Sequence, residues 1–201
     1  DHELALRVAA IREAYEECGV LLARPQGTPE LVDGPRLASI DERYADERAR
    51  HALDLGRMAR EEQLELAVDL LTPFAHWITP ENQPKRFDTR FYVAAAPADH
   101  AAVHDGSESV ESAWMSAERI CREADEGKWH GMFPTRMNLQ RVGAHASVED
   151  ALHAAQDLPI VPVLPKLVEK LANGRRLRIP LEAGYGVSEV IVGAGGVVQQ
   201  S

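Results

Sequence analysis

The sequence predicts an α+β fold. Three observations carry that prediction: an apolar stripe at helical spacing near the start, a charged, alanine- and leucine-rich stretch at 36–71, and apolar/polar alternation at 87–93. Leu4, Val8, Ile11, Tyr15 and Cys18 step by four, three, four and three residues, the spacing of one buried helix face. A helix is expected over 3–18, with Cys18 buried on the stripe. Gly19 stands where a left-handed residue closes a helix, and Val20-Leu21-Leu22 then reads as a strand over 19–23.

Pro25-Gln26-Gly27-Thr28-Pro29 is a turn-rich break. The following stretch, 36–71, is free of proline and is expected to form one or two helices broken near Leu55-Gly56. Met58, Leu64, Val68 and Leu71 continue the helical spacing. This insertion reads either as a packing or dimer element, or as a lid beside a functional site. Strands are expected at 75–79 and 87–96, with Phe87, Thr89, Phe91 and Val93 on one face and Asp88, Arg90 and Tyr92 on the other.

Residues 100–107 read as a loop and 108–115 as a strand. Ser116 is placed to cap a helix, Pro134-Thr135 to open another, and Ser147 to cap a third over 148–156. Residues 159–165 read as irregular or short strand. Terminal strands are expected at 175–181 and 187–192, around Gly184-Tyr185-Gly186. The whole of 1–201 reads as a single domain with a helical insertion at about 36–71.

Composition narrows the function. A net charge of −10 argues against nucleic acid as a partner, because a phosphate backbone demands a basic face. Two cysteines without metal-ligand spacing fit a reducing compartment. No apolar run reaches the roughly 18 residues that a spanning helix needs, and neither a signal sequence nor a peroxisomal Ser-Lys-Leu-type ending is visible. The expectation is a cytoplasmic protein with no membrane partner.

The chemistry concentrates in the first helix. Glu13, Glu16 and Glu17 lie at i, i+3 and i+4 on one face, turned away from the apolar stripe. Like charges at this spacing repel by a few tenths of a kcal/mol per pair, and Arg12 pairs with only part of the cluster. A hard divalent cation such as Mg²⁺ or Mn²⁺ would neutralise it through carboxylate oxygens. A solvated acidic helix face is the alternative, and charge pattern alone does not decide between them.

The order Arg12-Glu13-Ala14-Tyr15-Glu16-Glu17-Cys18-Gly19-Val20 resembles the C-terminal half of the Nudix box, Gly-x5-Glu-x7-Arg-Glu-U-x-Glu-Glu-x-Gly-U, at every fixed position. The first half departs from it. Leu4 stands where the box has Glu, Glu3 is one residue out of register, and no glycine precedes. An insertion within the box, combined with a chain that starts inside it, is the expected cause. Trp77-Ile78-Thr79-Pro80, then Pro84-Lys85-Arg86-Phe87-Asp88-Thr89-Arg90-Phe91-Tyr92, is similar to the W-x-T-P…P-x-R-F-D-T-x-F segment of the Nudix motif nineteen branch. Glu111 through Met115, Phe133-Pro134-Thr135 and Leu139 resemble it too, so the likeness spans most of 4–145.

The resemblance implies a Nudix-type α/β/α sandwich with a mixed sheet, its first strands absent from this chain. It implies a metal-dependent diphosphatase using Mg²⁺ or Mn²⁺. The branch points to coenzyme A or acyl-coenzyme A, cleaved to 3′,5′-ADP and (acyl-)phosphopantetheine. Nucleotide sugars or dinucleotides are the alternative substrates, and a catalytically silent nucleotide- or partner-binding domain is the alternative class. The implied metal ligands are Glu13, Glu16 and Glu17, with Glu108 a candidate for an additional acid from a later segment, against a simple exposed-strand position. Glu13, Glu17 and Arg12 are the implied catalytic set, Arg12 holding the glutamates in place. Arg86 and Arg90 are candidates for substrate phosphates, since guanidinium suits bidentate phosphate contacts, against a structural pairing with Asp88 or another acid. A homodimer is the expected assembly, if any.

Other signals are weaker. His100 and His104 have i, i+4 spacing but no third ligand in reach, and read as surface histidines. His130 fits a pocket or a packed loop equally well. Gly193-Ala194-Gly195-Gly196 lacks the strand-to-helix setting of a phosphate loop.

Overall fold

The computed structural model describes residues 2–81, 83–101, 113–129, 133–193 and 198–200. The chain divides into two compact units, Asp1–Leu71 with Ala94–Ala113, and Thr72–Val93 with Trp114–Ser201.

In the first unit, α1 (His2–Cys18) leads into a short strand, β1 (Ala23–Pro25), followed by α2 (Gly34–Ala49) and α3 (Leu55–Glu61). β2 (Leu64–Leu66) returns antiparallel to β1, with Ala23 opposite Leu66 and Pro25 opposite Leu64. Asp33 caps α2 and Asp54 caps α3, each carboxylate accepting the backbone N–H three residues on at 2.9 Å. Ile11, Tyr15, Leu21, Ile40 and Met58 are fully buried.

The second unit holds two sheets. β3 (Thr72–Ile78) pairs antiparallel with β4 (Asp88–Val93) and parallel with the two-residue β5 (Pro162–Val163), which makes a mixed sheet. A parallel return needs a long crossover, and here it contains α4 (Ala117–Asp125), α5 (Phe133–Gly143) and α6 (Val148–Asp157). The other sheet is an antiparallel run of β6 (Lys166–Leu171), β7 (Gly174–Arg178), β8 (Glu189–Gly193) and β9 (Val198–Gln200). Phe74 and Trp77 from β3, Met137 from α5, Ala155 from α6 and Val190 from β8 share one apolar core. Trp77 meets Phe133 edge-to-face at 5.2 Å, and its indole N–H donates to the Tyr185 hydroxyl at 2.8 Å.

Several expectations require correction. The α1 stripe is buried only in its middle: Leu4 and Cys18 are exposed. Gly19–Leu22 is not a strand, because the left-handed turn at Gly19 (φ +68°) redirects the chain and pairing begins at Ala23. The helical spacing from Met58 to Leu71 is broken after Glu61. Gln63 takes φ +54°, and Leu64 and Leu66 then belong to a strand. Residues 113–116 carry no regular structure, and 108–112 lie outside the described residues. His100 is buried, with its Nε2 2.8 Å from the Val32 carbonyl, so it is a core contact of its unit.

Candidate active site

The glutamate face is built by the C-terminal half of α1. Arg12 and Glu13 are exposed, whereas Glu16 and Glu17 are half-buried. The Arg12 guanidinium hydrogen-bonds Glu13, and this contact, with the charges of Glu13 and Glu16, holds Arg12 above its ordinary pKa. Glu16 and Glu17 stand in the last turn, where the helix dipole presents partial negative charge, and that turn contains no basic residue. The dipole at this end of the helix favours a cation.

What fixes this turn is a clamp from α2. The buried Tyr15 hydroxyl donates to Asp41 Oδ1 at 2.9 Å, and Arg48 Nη1 donates to the same oxygen at 2.7 Å. Arg48 Nη2 reaches the Tyr15 carbonyl at 2.9 Å, and its guanidinium lies 4.5 Å over the Tyr15 ring. Burial, then the Asp41 charge, pushes the Tyr15 phenol well above its usual pKa. Gly19 N–H also donates to the Tyr15 carbonyl (3.0 Å), and Val20 N–H reaches back to Ala14 (3.2 Å). At the other end of the helix, Arg7 donates to the carbonyls of Val68 and Leu71 at 3.0 and 2.6 Å. Nothing in the sequence pattern pointed to Asp41 and Arg48. Their one signal is the i, i+7 spacing of an acid and a base on one face of α2.

Arg86 and Arg90 belong to the other unit. Arg86 is exposed, and its Nε donates to the Thr79 carbonyl at 3.0 Å, closing the loop between β3 and β4. Arg90 is half-buried and sits opposite His76 in the β3–β4 register. Asp88 is engaged by the buried His76, whose Nε2 lies 2.5 Å from its Oδ1. The structure thus gathers Arg12, Glu13, Glu16 and Glu17 on one helix, and Arg86 and Arg90 on one hairpin. Glu108, Glu111, His104, His130 and 194–196 lie outside the described residues.

A family model of the NUDT19 Nudix domain matches residues 1–142. The chain belongs to this Nudix family. Among similar curated proteins, putative nudix hydrolase 7 of Caenorhabditis elegans is 30% identical over 125 residues, covering 61% of this chain and 39% of that protein. The human acyl-coenzyme A diphosphatase NUDT19 is 32% identical over 127 residues, covering 57% of this chain and 32% of that protein. The chain thus spans well under half the length of these relatives. A solved Nudix hydrolase from Alicyclobacillus acidocaldarius superposes with a TM-score of 0.58 at 26% identity, covering 79% of this chain and 68% of that one. The predicted Nudix fold with a mixed sheet holds.

Nudix domains generally work with divalent cations, and the donor chemistry on α1 fits one: carboxylate oxygens suit a hard ion. In their present rotamers the glutamates do not converge, for among the described residues no group of three or more His, Cys, Asp or Glu side chains is arranged to hold a metal. Glu13 is meanwhile occupied by Arg12. Among the described residues no helix is long and apolar enough to cross a membrane.

Proposed function

We propose that this chain is the hydrolytic core of a Mg²⁺- or Mn²⁺-dependent diphosphatase acting on coenzyme A or acyl-coenzyme A. The observation that carries this reading is the Glu13, Glu16 and Glu17 set gathered on the C-terminal half of α1, inside a segment matched by the family model. The name of the human relative, an acyl-coenzyme A diphosphatase, supports the substrate class.

Glu16 and Glu17 would hold the cation, with Glu13 joining them on leaving Arg12, and Glu108 as the added acid. When bound, the cation supplies charge neutralisation on phosphate oxygens and a water of lowered pKa. Glu13, acting with Glu17, would orient the attacking water and take its proton. Arg12 holds Glu13 on the α1 face until the cation binds, and takes no part in the chemistry itself. Water oxygen attacks one phosphorus, the phosphoanhydride P–O bond breaks, and the products are 3′,5′-ADP and (acyl-)phosphopantetheine. The protein works in the cytoplasm.

The test is turnover of coenzyme A, acetyl-coenzyme A, ADP-ribose and UDP-glucose by full-length protein with Mg²⁺ or Mn²⁺, with products separated by chromatography. Release of 3′,5′-ADP from coenzyme A, lost in Glu17→Gln, is the expected result. Turnover of UDP-glucose or ADP-ribose alone would keep the mechanism and replace the substrate. A second reading, binding without turnover, is favoured by Leu4 standing where the box has a glutamate. Silence across the panel would select it.

A further inference from the structure

We propose that a cleft in the first unit, between α2 and the turn from α3 into β2, binds a phosphate monoester with an apolar body. Its volume is about 570 Å³, within the range of small-molecule sites. One face of α2 supplies Arg36, Ser39 and Arg43, at i, i+3 and i+7, and Pro25, Leu31 and Pro35 supply apolar wall.

Both guanidinium groups converge on one residue. Arg36 Nη2 donates to the Glu62 carbonyl at 2.7 Å, and Arg43 Nη1 donates to Glu62 Oε1 at 2.5 Å. Glu62 is buried although charged. It is held there by the left-handed turn at Gln63, whose carbonyl is tied to Gln26 N–H at 2.8 Å. A non-glycine residue in this conformation is strained, and such strain persists where the surroundings over-determine it.

The two carboxylates of the cleft are committed. Glu62 is taken by Arg43 and, at 3.5 Å, by the Tyr44 hydroxyl. Asp33 caps α2 through the Arg36 backbone N–H. Arg36 has no carboxylate partner among the described residues. A guanidinium carries five N–H donors, and each of these arginines spends one on Glu62. The remaining donors, those of Arg36 near the N-terminus of α2 and those of Arg43 two turns further along, suit a phosphate. Leu31 and Pro35 beside them suit an attached hydrocarbon.

Calorimetric titration of metal-free, full-length protein with phenyl phosphate tests this, with inorganic phosphate and phenol as comparators. Phenyl phosphate is expected to bind at one site, tighter than either comparator. Arg36→Gln, and independently Ser39→Glu, which sets a carboxylate between the arginines on an exposed position, should each weaken it about tenfold or more. Glu17→Gln should leave it unchanged, so the result is independent of the catalytic reading. Phenyl phosphate binding no tighter than inorganic phosphate, or unaltered by both cleft variants, overturns the proposal. A raised KM for coenzyme A in the two cleft variants would identify the phosphate as the substrate's own; an unchanged KM would identify a separate ligand.

Discussion

Arg48 lies over the ring of Tyr15 at 4.5 Å and donates to the Tyr15 carbonyl, so an insertion helix grips the backbone of the turn that bears Glu16 and Glu17. The carbonyl receives a second hydrogen bond from Gly19, and Asp41 joins the tyrosine hydroxyl to the same arginine. The insertion is thus a support for the glutamate face.

Arg48→Ala removes two charge-assisted hydrogen bonds and the ring contact, and leaves Asp41 held by Tyr15 alone. A loss of about 2 kcal/mol is expected, while Tyr15→Phe, which deletes one hydroxyl bond, should lose about 1 kcal/mol. Urea unfolding measures both. Equal, negligible effects would mean that the clamp does not hold α1.

Gly19 sits at φ +68°, where a Cβ clashes with its own backbone. Gly19→Ala should cost about 1–2 kcal/mol, readable as a lowered midpoint in thermal unfolding. An unchanged midpoint would show that the cap tolerates a side chain and that the turn is set elsewhere.

Tyr44 is buried and donates to Glu61 at 2.8 Å. Burial first, then that hydrogen bond, pushes its phenol up to about 12. A folded-state pKa above the unfolded value of roughly 10 means the stability is fully present below pH 10 and is lost as pH rises towards 12. Tyr15 and Tyr185 shift the same way, so several phenols share the alkaline loss. Tyr44→Phe should flatten the fall in unfolding free energy between pH 10 and 12. An identical slope in the variant would contradict the assigned environment.

Helices were the most legible part of the fold, because capping chemistry is local. Ser116 and Ser147 accept the N–H groups of Arg119 and Asp150 as their positions implied. Strand extents were less legible. Leu64, Val68 and Leu71 keep helical spacing, yet a left-handed residue at Gln63 ends the helix, Leu64–Leu66 becomes strand and Val68–Leu70 a single 3-10 turn, and glutamine carries no sequence signal for such a break. The β3–β4 pairing was readable from alternation. The contact of the buried His76 with the exposed Asp88 was not, since it depends on register. At the candidate site, the glutamates stood out by spacing and by resemblance. Asp41 and Arg48 lie more than twenty residues away, and only packing brings them to Tyr15.

In the proposed mechanism the glutamate face of α1 holds the cation that hydrolysis needs. The most direct measurement is Mn²⁺-dependent release of 3′,5′-ADP from coenzyme A by full-length protein, compared with Glu16→Gln and Glu17→Gln. Loss of about a hundredfold or more in kcat for either variant, with thermal midpoints unchanged, is the predicted result. Undiminished metal-dependent turnover in both would contradict the account.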